Sequence, residues 1–282
     1  MSEPETEHSV VEASAVELGE MVQQELESIL PISQRIRVGF ETLGGMLVMT
    51  VRAISRAFRR PFSFGEIGYQ LESLGVRSLS IATLTAIFVG LVLALQFAFS
   101  LARFGLQHTV GKVVVLTLFR ELAPVLTALT VGARIGSGIA AELGSMKVTE
   151  QIDAIRALGA DPIKRLVTPR LVACVIVLPV LTALADVVGV SAGSIVVNMT
   201  YDIPFEQYFR SCIETAGLVD FGSGIAKSAV FGGIIAIVGC YQGFHVEGGT
   251  EGVGRATTET VAIASVAVCL SDFFLTKFLL AL

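Results

Sequence analysis

Long apolar stretches separated by short polar loops make up most of this chain of 282 residues. Five of the stretches are long enough to cross a bilayer, which takes about 20 helical residues. They lie near residues 79–102, 112–141, 166–198, 224–244 and 256–281. The pattern therefore predicts an all-α integral membrane protein with five transmembrane helices.

Residues 33–60, which precede the first apolar stretch, follow a different pattern. Their apolar side chains recur at helical spacing, and arginines collect near the end of the segment. A helix with one apolar face and one basic face lies in the membrane interface rather than across it. The segment therefore predicts an N-terminal interfacial amphipathic helix. The apolar set is Ile36, Phe40, Leu43, Leu47, Ile54 and Phe58, and the arginines are Arg52, Arg56, Arg59 and Arg60.

The chain begins with an acidic segment of another character. Residues 1–30 contain eight Glu and no Lys or Arg. A segment with so many acidic residues and no basic ones is typical of disorder, and it has neither the basic start nor the apolar core of a secretory signal. We expect residues 1–32 to form a disordered tail and residues 33–282 to form the membrane domain.

A short polar segment, SMKVTEQIDAIRALGADP (145–162), interrupts the apolar pattern between the second and third predicted spans. Thr149 is a favourable N-cap residue, Gly159 suits a left-handed helix stop, and Pro162 cannot continue a helix. These signals predict a helix of about nine residues at 150–158. Its acidic and polar residues lie in the first turn and its basic residue in the last, as the helix dipole favours: Glu150, Gln151, Asp153 and Arg156.

Basic residues predict the orientation of the chain. Seven of them lie between Arg35 and Arg77 and five lie in the 142–170 loop, whereas the loops at 103–111 and 199–223 hold one each. Cytoplasmic loops carry the excess of Lys and Arg. We therefore expect a cytoplasmic N-terminus, a cytoplasmic 142–170 loop and, after five spans, an external C-terminus. The short helix then either lies on its own protein's cytoplasmic end or docks a cytoplasmic partner.

Small residues recur every fourth position along the second predicted span. Such a strip lets two helices approach closely within a bilayer, where lipid supplies no hydrophobic drive for association. The pattern predicts helix packing, either within the chain or between two subunits. The strip consists of Ala128, Gly132, Gly136, Ala140 and Gly144.

Charged side chains within spans are costly and therefore indicate function or a structural ion pair. Arg120 and Glu121 are neighbours in the second span, and neighbours on a helix point about 100° apart, so they are not expected to pair with each other. Glu121 either lines a functional site or forms a structural ion pair. We expect Arg134, Asp186 and Asp272 to be buried partners of one another or of backbone groups.

Other features exclude several classes of function. The net charge is −5 without a basic run, which argues against nucleic-acid binding. The four cysteines are far apart and lack metal-ligand spacing, so we expect no metal site. The glycine-rich segment 245–258 lacks the Lys-Ser/Thr pair of a phosphate-binding loop and more simply predicts a tight turn into a helix. Without a nucleophile–base pair, an enzymatic role is not expected, nor is a cofactor bound by this chain.

Two segments resemble the MlaE/YrbE permease family, the membrane subunits of ABC transporters that work with MCE-domain lipid-binding proteins. They are FRELAPVLTALTVGARIGSGIAAELGSMKVTEQIDAIRALGADP (119–162) and GRATTETVAIASVAVCLSDFFLT (254–276). The resemblance covers roughly residues 35–282. It implies a homodimeric permease in the bacterial inner membrane, with a cytoplasmic ABC ATPase dimer that uses ATP and Mg²⁺, a periplasmic MCE protein and, in some systems, a STAS-domain subunit.

The resemblance also implies roles for particular residues. The short helix would be the coupling helix that the ATPase holds, with Glu142, Thr149, Glu150, Asp153, Arg156 and Gly159 at this contact. A lipid cavity would lie between two permeases, near Glu121 and Leu122 and beside an apolar stripe on the first span: Ile87, Leu91, Leu95 and Ala98. We therefore expect an ATP-driven lipid permease whose cargo is phospholipid. The alternatives are an ion-coupled secondary transporter that uses Asp186 or Asp272, and a membrane scaffold without transport.

Overall fold

The computed structural model describes residues 32–57 and 64–281. The predicted acidic tail and residues 58–63 lie outside these ranges. The described residues form helices joined by short connections, with no strand among them. The α-helices are α1 (Ile32–Ala57), α2 (Phe64–Gly75), α3 (Leu79–Ala102), α4 (Val110–Thr117), α5 (Ala123–Val148), α6 (Gln151–Ala157), α7 (Thr168–Tyr201), α8 (Phe205–Thr215), α9 (Leu218–Phe244) and α10 (Gly249–Ala281).

The five predicted spans are confirmed as helices that are long and apolar enough to cross a membrane. Each continuous helical run extends beyond its predicted apolar stretch, because polar and glycine-rich ends lower the hydropathy without ending the helix. Short 3₁₀ or π segments join some helices into one run. The runs are Gly65–Ala102, Gln107–Val148, Ile163–Tyr201, Leu218–Phe244 and Gly249–Leu279.

The predicted amphipathic helix at 33–60 is present as α1, whose described part ends at Ala57. The chain divides into a unit that ends at Val48 and a unit that begins at Met49. Within the first unit, Arg37 pairs with Glu41 one turn later. Phe40, Leu43 and Leu47 are exposed, so this part of α1 presents an apolar surface, as an interfacial helix would. Its membrane position stays a prediction.

Close packing between α3 and α7 depends on small residues. The buried positions of α3 recur every fourth residue: Ala82, Ala86, Gly90, Ala94 and Ala98. A side chain on Gly90 would collide with the backbone carbonyl of Gly189 on α7. Glycine is therefore required at this crossing, and α3 buries the same kind of small-residue strip that the sequence predicts for the second span.

The predicted strip on α5 packs against the last two helices of the same chain. A Cβ on Gly132 would meet Ile235 of α9, and a Cβ on Gly144 would meet Val246 and Val253 near the start of α10. Gly136 lies between Ile235 and Thr260, and Ala128 and Ala140 are buried. Of the two alternatives, packing within the chain is the one that the structure contains.

The loop at 199–223 holds a helix that the sequence reasoning missed. Helix α8 packs against α4 through buried Tyr208 and Cys212, and the Cys212 thiol contacts the Gly111 carbonyl at 3.3 Å. Burial raises the pKa of the Cys212 thiol to about 11. Helix α8 therefore holds the first part of the second span, α4, against the neighbouring helices.

Candidate functional site

The short helix predicted at 150–158 is present as α6, one residue shorter at each end. Its predicted N-cap is wrong: the Thr149 hydroxyl donates to the Ser145 carbonyl at 2.8 Å and so belongs to the end of α5. Glu150 occupies the cap position instead, with a left-handed φ of 59° and no side-chain cap bond. The reversal at Glu150 lets α6 follow α5 almost immediately. The predicted stop at Gly159 is confirmed by its φ of +75°.

Charged side chains connect α6 to the end of α5. Asp153 accepts hydrogen bonds from Lys147 Nζ and from Arg156 Nη1, each at 2.8 Å. The hydrogen bond from Lys147 is the main reason that the pKa of the Asp153 carboxyl lies below its ordinary value of 3.8. The carboxylate thus holds two cations, one on each helix, and fixes the angle between α5 and α6.

The base of α6 is held on α5 by a buried apolar residue, and an ion pair joins α5 to α7. Ile152 is fully buried, and α6 packs on α5. Nearby on α5, Glu142 pairs with Arg170 of α7 at 2.7 Å, and Arg170 is only 4% exposed. Arg170 also donates to the Leu166 carbonyl. A force on α6 would therefore be transmitted to both α5 and α7 rather than absorbed by a loose loop.

The opposite surface of α6 is open. Leu158 directly after α6 is 85% exposed, and Val148 at the end of α5 is 38% exposed. Glu150, Gln151 and Arg156 are exposed on the same segment. A short helix held on one side, with a mixed apolar and charged surface on the other, has the form of a docking element.

A second cluster lies within the spans, around Lys227 of α9. The Lys227 side chain is 2% exposed, and its ammonium donates to Glu121 Oε2 at 2.7 Å, to the Arg120 carbonyl at 2.9 Å and to Thr276 Oγ1 at 2.7 Å. These bonds use all three ammonium donors. Asp272 lies 3.2 Å away as an ion-pair partner without hydrogen-bond geometry. The cluster joins the second, fourth and fifth spans.

Arg120 forms a separate ion pair on the other side of Glu121. Its Nε donates to Asp220 Oδ1 at 2.6 Å, and the second Asp220 oxygen accepts from the Gly217 backbone N–H. As predicted, Arg120 and Glu121 have different partners. Two cations therefore face the three carboxylates of Glu121, Asp220 and Asp272. All of these except Asp272 line a crevice of about 60 Å³, together with Ser223 and Thr276.

The backbone is irregular at this cluster. Residues Leu118–Leu122 form one turn of π-helix between α4 and α5. A side chain on Gly224 of α9 would collide with the Phe119 carbonyl, so the widened turn presses directly on α9. Single π turns are frequent at functional sites and at bends in long helices.

The structure does not bring the predicted lipid-cavity residues onto one open face. Ile87 and Leu91 are half-buried and Leu95 is exposed, but Ala98 is fully buried against the small-residue crossing with α7. Leu122 is half-buried and packs against the same core. Glu121, 40% exposed, is reachable from outside. The cavity role of these residues stays a prediction, and Ala98 has no exposed surface in this chain with which to contact a lipid.

The expectation that Arg134, Asp186 and Asp272 would be partners of one another or of backbone groups is wrong for the contacts that the described residues make. Arg134 donates to the Ser78 hydroxyl at 2.6 Å, and Asp272 faces Lys227. Asp186 is buried, and its Oδ1 has no hydrogen-bond partner in the described part of the chain. The three lie on different helices whose contacts sequence spacing does not reveal.

Lys227 is the functional candidate that the sequence reasoning missed. It is a lysine within an otherwise apolar span, so the rule that singles out Glu121 applies to it equally. Asp220 and Arg170 were missed for a different reason, since each lies near the end of a span, where charges are ordinary.

Comparison with known proteins shows that the chain is similar to transporter permeases. The family model described as Permease MlaE matches residues 67–278. A probable ABC transporter permease protein of Rickettsia typhi is 40% identical over 239 residues, 85% of this chain and 92% of that protein. A probable ABC transporter permease protein of Synechocystis is 44% identical, over 73% of this chain and 78% of its own length. The chloroplast protein TRIGALACTOSYLDIACYLGLYCEROL 1 of Arabidopsis thaliana is 40% identical, over 74% of this chain and 60% of its own length.

Proposed function

Since the chain belongs to the MlaE permease family and is a multi-pass transporter permease, we propose that it is the membrane subunit of an ATP-driven lipid transporter. Two copies assemble in the bacterial inner membrane. A cytoplasmic ABC ATPase dimer binds on one side and a periplasmic MCE-domain protein on the other, in some systems with a STAS-domain subunit. Phospholipid is the proposed cargo, and ATP and Mg²⁺ are used by the ATPase.

The lipid cargo is supported by one relative and by the surface of the spans. The name of the Arabidopsis relative contains that of a glycerolipid. The outer faces of α3 and α10 expose large apolar side chains, among them Phe88, Phe99, Phe273 and Phe278. Surfaces of this kind accept acyl chains or a second permease copy.

The observation that carries the proposal is the way α6 is held. Asp153 fixes α6 to α5 through Lys147, Ile152 packs beneath it, and Glu142 with Arg170 ties α5 to α7. The exposed side of α6 and Leu158 then form the surface that the ATPase would bind. Closure of the ATPase dimer would push α6 as a rigid body.

Helical continuity provides the route from α6 into the membrane. The run Gln107–Val148 is unbroken, and at 1.5 Å per residue the distance from Val148 to Glu121 is about 40 Å. The π turn at Leu118–Leu122 lies at the far end of this lever, where bending is easiest. Movement of α6 would therefore shift Glu121 relative to Lys227 and alter the crevice that they line.

In the proposed dimer, the lipid cavity is lined from each copy by Ile87, Leu91, Leu95, Glu121 and Leu122. ATP-driven motion would change the packing between copies and move a lipid between this cavity and the MCE protein. Ala98 supports the α3–α7 crossing instead.

The test is Leu158→Glu, with Leu218→Glu as its matched control. Leu158 is 85% exposed and Leu218 91% exposed, so neither substitution disturbs the core. A charge in the centre of a docking surface costs about 2 kcal/mol or more, equivalent to a loss of at least tenfold in affinity. We expect Leu158→Glu to lose the ATPase on co-purification and Leu218→Glu to keep it.

Retention of the ATPase by both variants would contradict the docking role of α6. If the ATPase remains bound but ATP does not drive lipid movement in proteoliposomes, the protein is a membrane scaffold for the ATPase rather than a transporter subunit. An ion-coupled carrier would instead move lipid without ATP, in response to an ion gradient.

A further inference from the structure

A cleft of about 310 Å³ lies beside α6, within the unit that begins at Met49. It is formed by the end of α1, the segment after α6 and the end of α9. Its lining combines arginines with apolar side chains, and of these residues only Arg156 also belongs to the proposed ATPase contact. The lining residues are Met49, Arg52, Arg56, Arg156, Asp161, Pro162, Ile163, Phe244 and His245.

The charge of the cleft is positive. Three arginines and a single carboxylate, Asp161, are among the described lining residues, and Arg156 is also paired with Asp153, which does not line the cleft. Arg56 Nε pairs with Asp161 at 2.7 Å, yet its Nη1 is buried with no hydrogen-bond partner in the described ranges. Arg52 is exposed and forms no ion pair with a described residue. Arg52 and Arg56 therefore keep N–H donors that no described residue accepts, and the planar guanidinium is suited to bidentate binding of phosphate.

The position of the cleft corresponds to the end of two spans. Ile163 begins the run that forms the third span, and Phe244 ends the fourth. Both belong to the side for which positive-inside counting predicts the cytoplasm. The lining is therefore basic at the depth of lipid headgroups, and Met49, Ile163 and Phe244 supply the apolar contact that the glycerol and first acyl carbons require.

From this combination we propose that the cleft binds the phosphate of an acidic phospholipid from the cytoplasmic leaflet. Arg52 and the unpartnered side of Arg56 hold the phosphate, and Arg156 closes the cleft from α6. The lipid is a resident ligand rather than cargo. Binding does not depend on the proposed function, whereas any effect on ATP turnover does.

Occupancy would reinforce the attachment of α6. Arg156 belongs to α6, and Arg56 reaches Asp161 in the segment directly after it. A phosphate that engages both arginines joins α1 to α6 across the cleft. Acidic lipid in the membrane would therefore stiffen the coupling segment.

The experiment titrates the intact, detergent-purified permease with short-chain phosphatidylglycerol and with short-chain phosphatidylcholine, and counts bound lipid by native mass spectrometry. We expect phosphatidylglycerol to bind more tightly, and Arg52→Gln to weaken it about tenfold, the loss expected for one charged hydrogen-bonding group. Arg77→Gln is the matched control, because Arg77 is also exposed, forms no ion pair with a described residue and lies outside the cleft. Arg52→Lys, which keeps the charge, should restore part of the affinity.

Three results would overturn the proposal. Equal phosphatidylglycerol affinity of Arg52→Gln and Arg77→Gln would exclude the cleft as the site. If excess inorganic phosphate displaces the lipid, and the protein then retains one phosphate for each lipid lost, free phosphate would be identified as the ligand. Loss of the ATPase by Arg52→Gln with lipid binding unchanged would show that the cleft is a subunit contact. A failed transport assay alone would count only against the proposed function.

Discussion

Lys227 shows how one buried charge can organise three spans. Its ammonium is surrounded by Glu121, Asp272, Thr276 and the Arg120 carbonyl. A lone charge within a bilayer is expensive, whereas a paired and hydrogen-bonded one is tolerated and fixes the geometry of its neighbours. Lys227 therefore determines where the second, fourth and fifth spans meet.

Replacement of this lysine should be strongly destabilising. Lys227→Met leaves Glu121 and Asp272 without a cation, and breaking a buried pair from one side costs about 3 kcal/mol. We expect a lower midpoint in thermal unfolding of the purified protein. Glu121→Gln added to Lys227→Met should recover part of the loss, because the two residues are in contact.

Lys112→Met is the control for this substitution, since Lys112 is half-buried and forms no ion pair with a described residue. It should change the free energy of unfolding by about 0.5 kcal/mol or less. If the two methionine variants unfold at the same temperature, the cluster around Lys227 is not structural.

Sequence reasoning identifies such charges but not their partners. Glu121 stands out as a charge in an apolar span, and Lys227 fulfils the same criterion. That the two meet depends on how the second and fourth spans cross, which no local pattern contains. Ala98 illustrates the same limit. It belongs both to the predicted apolar stripe and to the small-residue strip of α3, and only the close crossing of Gly90 with Gly189 shows that Ala98 packs against α7 instead of lining a cavity.

Among the elements, α6 was predicted with nearly correct bounds, but its N-cap residue was predicted wrongly. Gly159 and the polar composition predicted the helix and its end. The N-cap prediction at Thr149 failed because the preceding helix continues to Val148, so that the Thr149 hydroxyl bonds backwards to Ser145. Hydropathy likewise identified five spans but not their ends, since a helix continues beyond the membrane where its apolar pattern stops. Helix α8 was missed because it is short and carries acidic residues.

The ion pairs of α6 predict a specific pH response. The pKa of Asp153 is lower in the folded protein than its ordinary value of 3.8. The stabilisation is therefore fully present above pH 3.8 and is lost as pH falls through the lower, folded value. The carboxyl ¹³C chemical shift of Asp153 should titrate with a midpoint below 3.8.

Lys147→Gln removes the largest cause of that lowered pKa and should move the midpoint up towards 3.8. Lys112→Gln, in a different helix, should leave it unchanged. An Asp153 midpoint that is the same in both variants would mean that Lys147 does not hold α6.

At the scale of the whole molecule, orientation across the membrane can be tested with two exposed leucines. Leu158 follows α6, and Leu218 begins α9 at the opposite end of a span. In a Cys269→Ser background, a membrane-impermeant maleimide applied to intact bacterial spheroplasts should label Leu218→Cys but not Leu158→Cys. After permeabilisation both should react. The reverse pattern would invert the predicted topology and place α6 out of reach of a cytoplasmic ATPase.

The central claim is that ATP hydrolysis in a partner drives lipid movement through α6. The most direct measurement follows ATP turnover and transfer of labelled phospholipid together, in proteoliposomes that contain the permease with its ATPase and MCE partners. The unmodified complex should transfer lipid only when ATP is hydrolysed. The double variant Glu150→Arg with Asp153→Arg reverses both acidic charges of α6 and should lose ATPase association and lipid transfer together. Unchanged association and transfer in that variant would contradict the account.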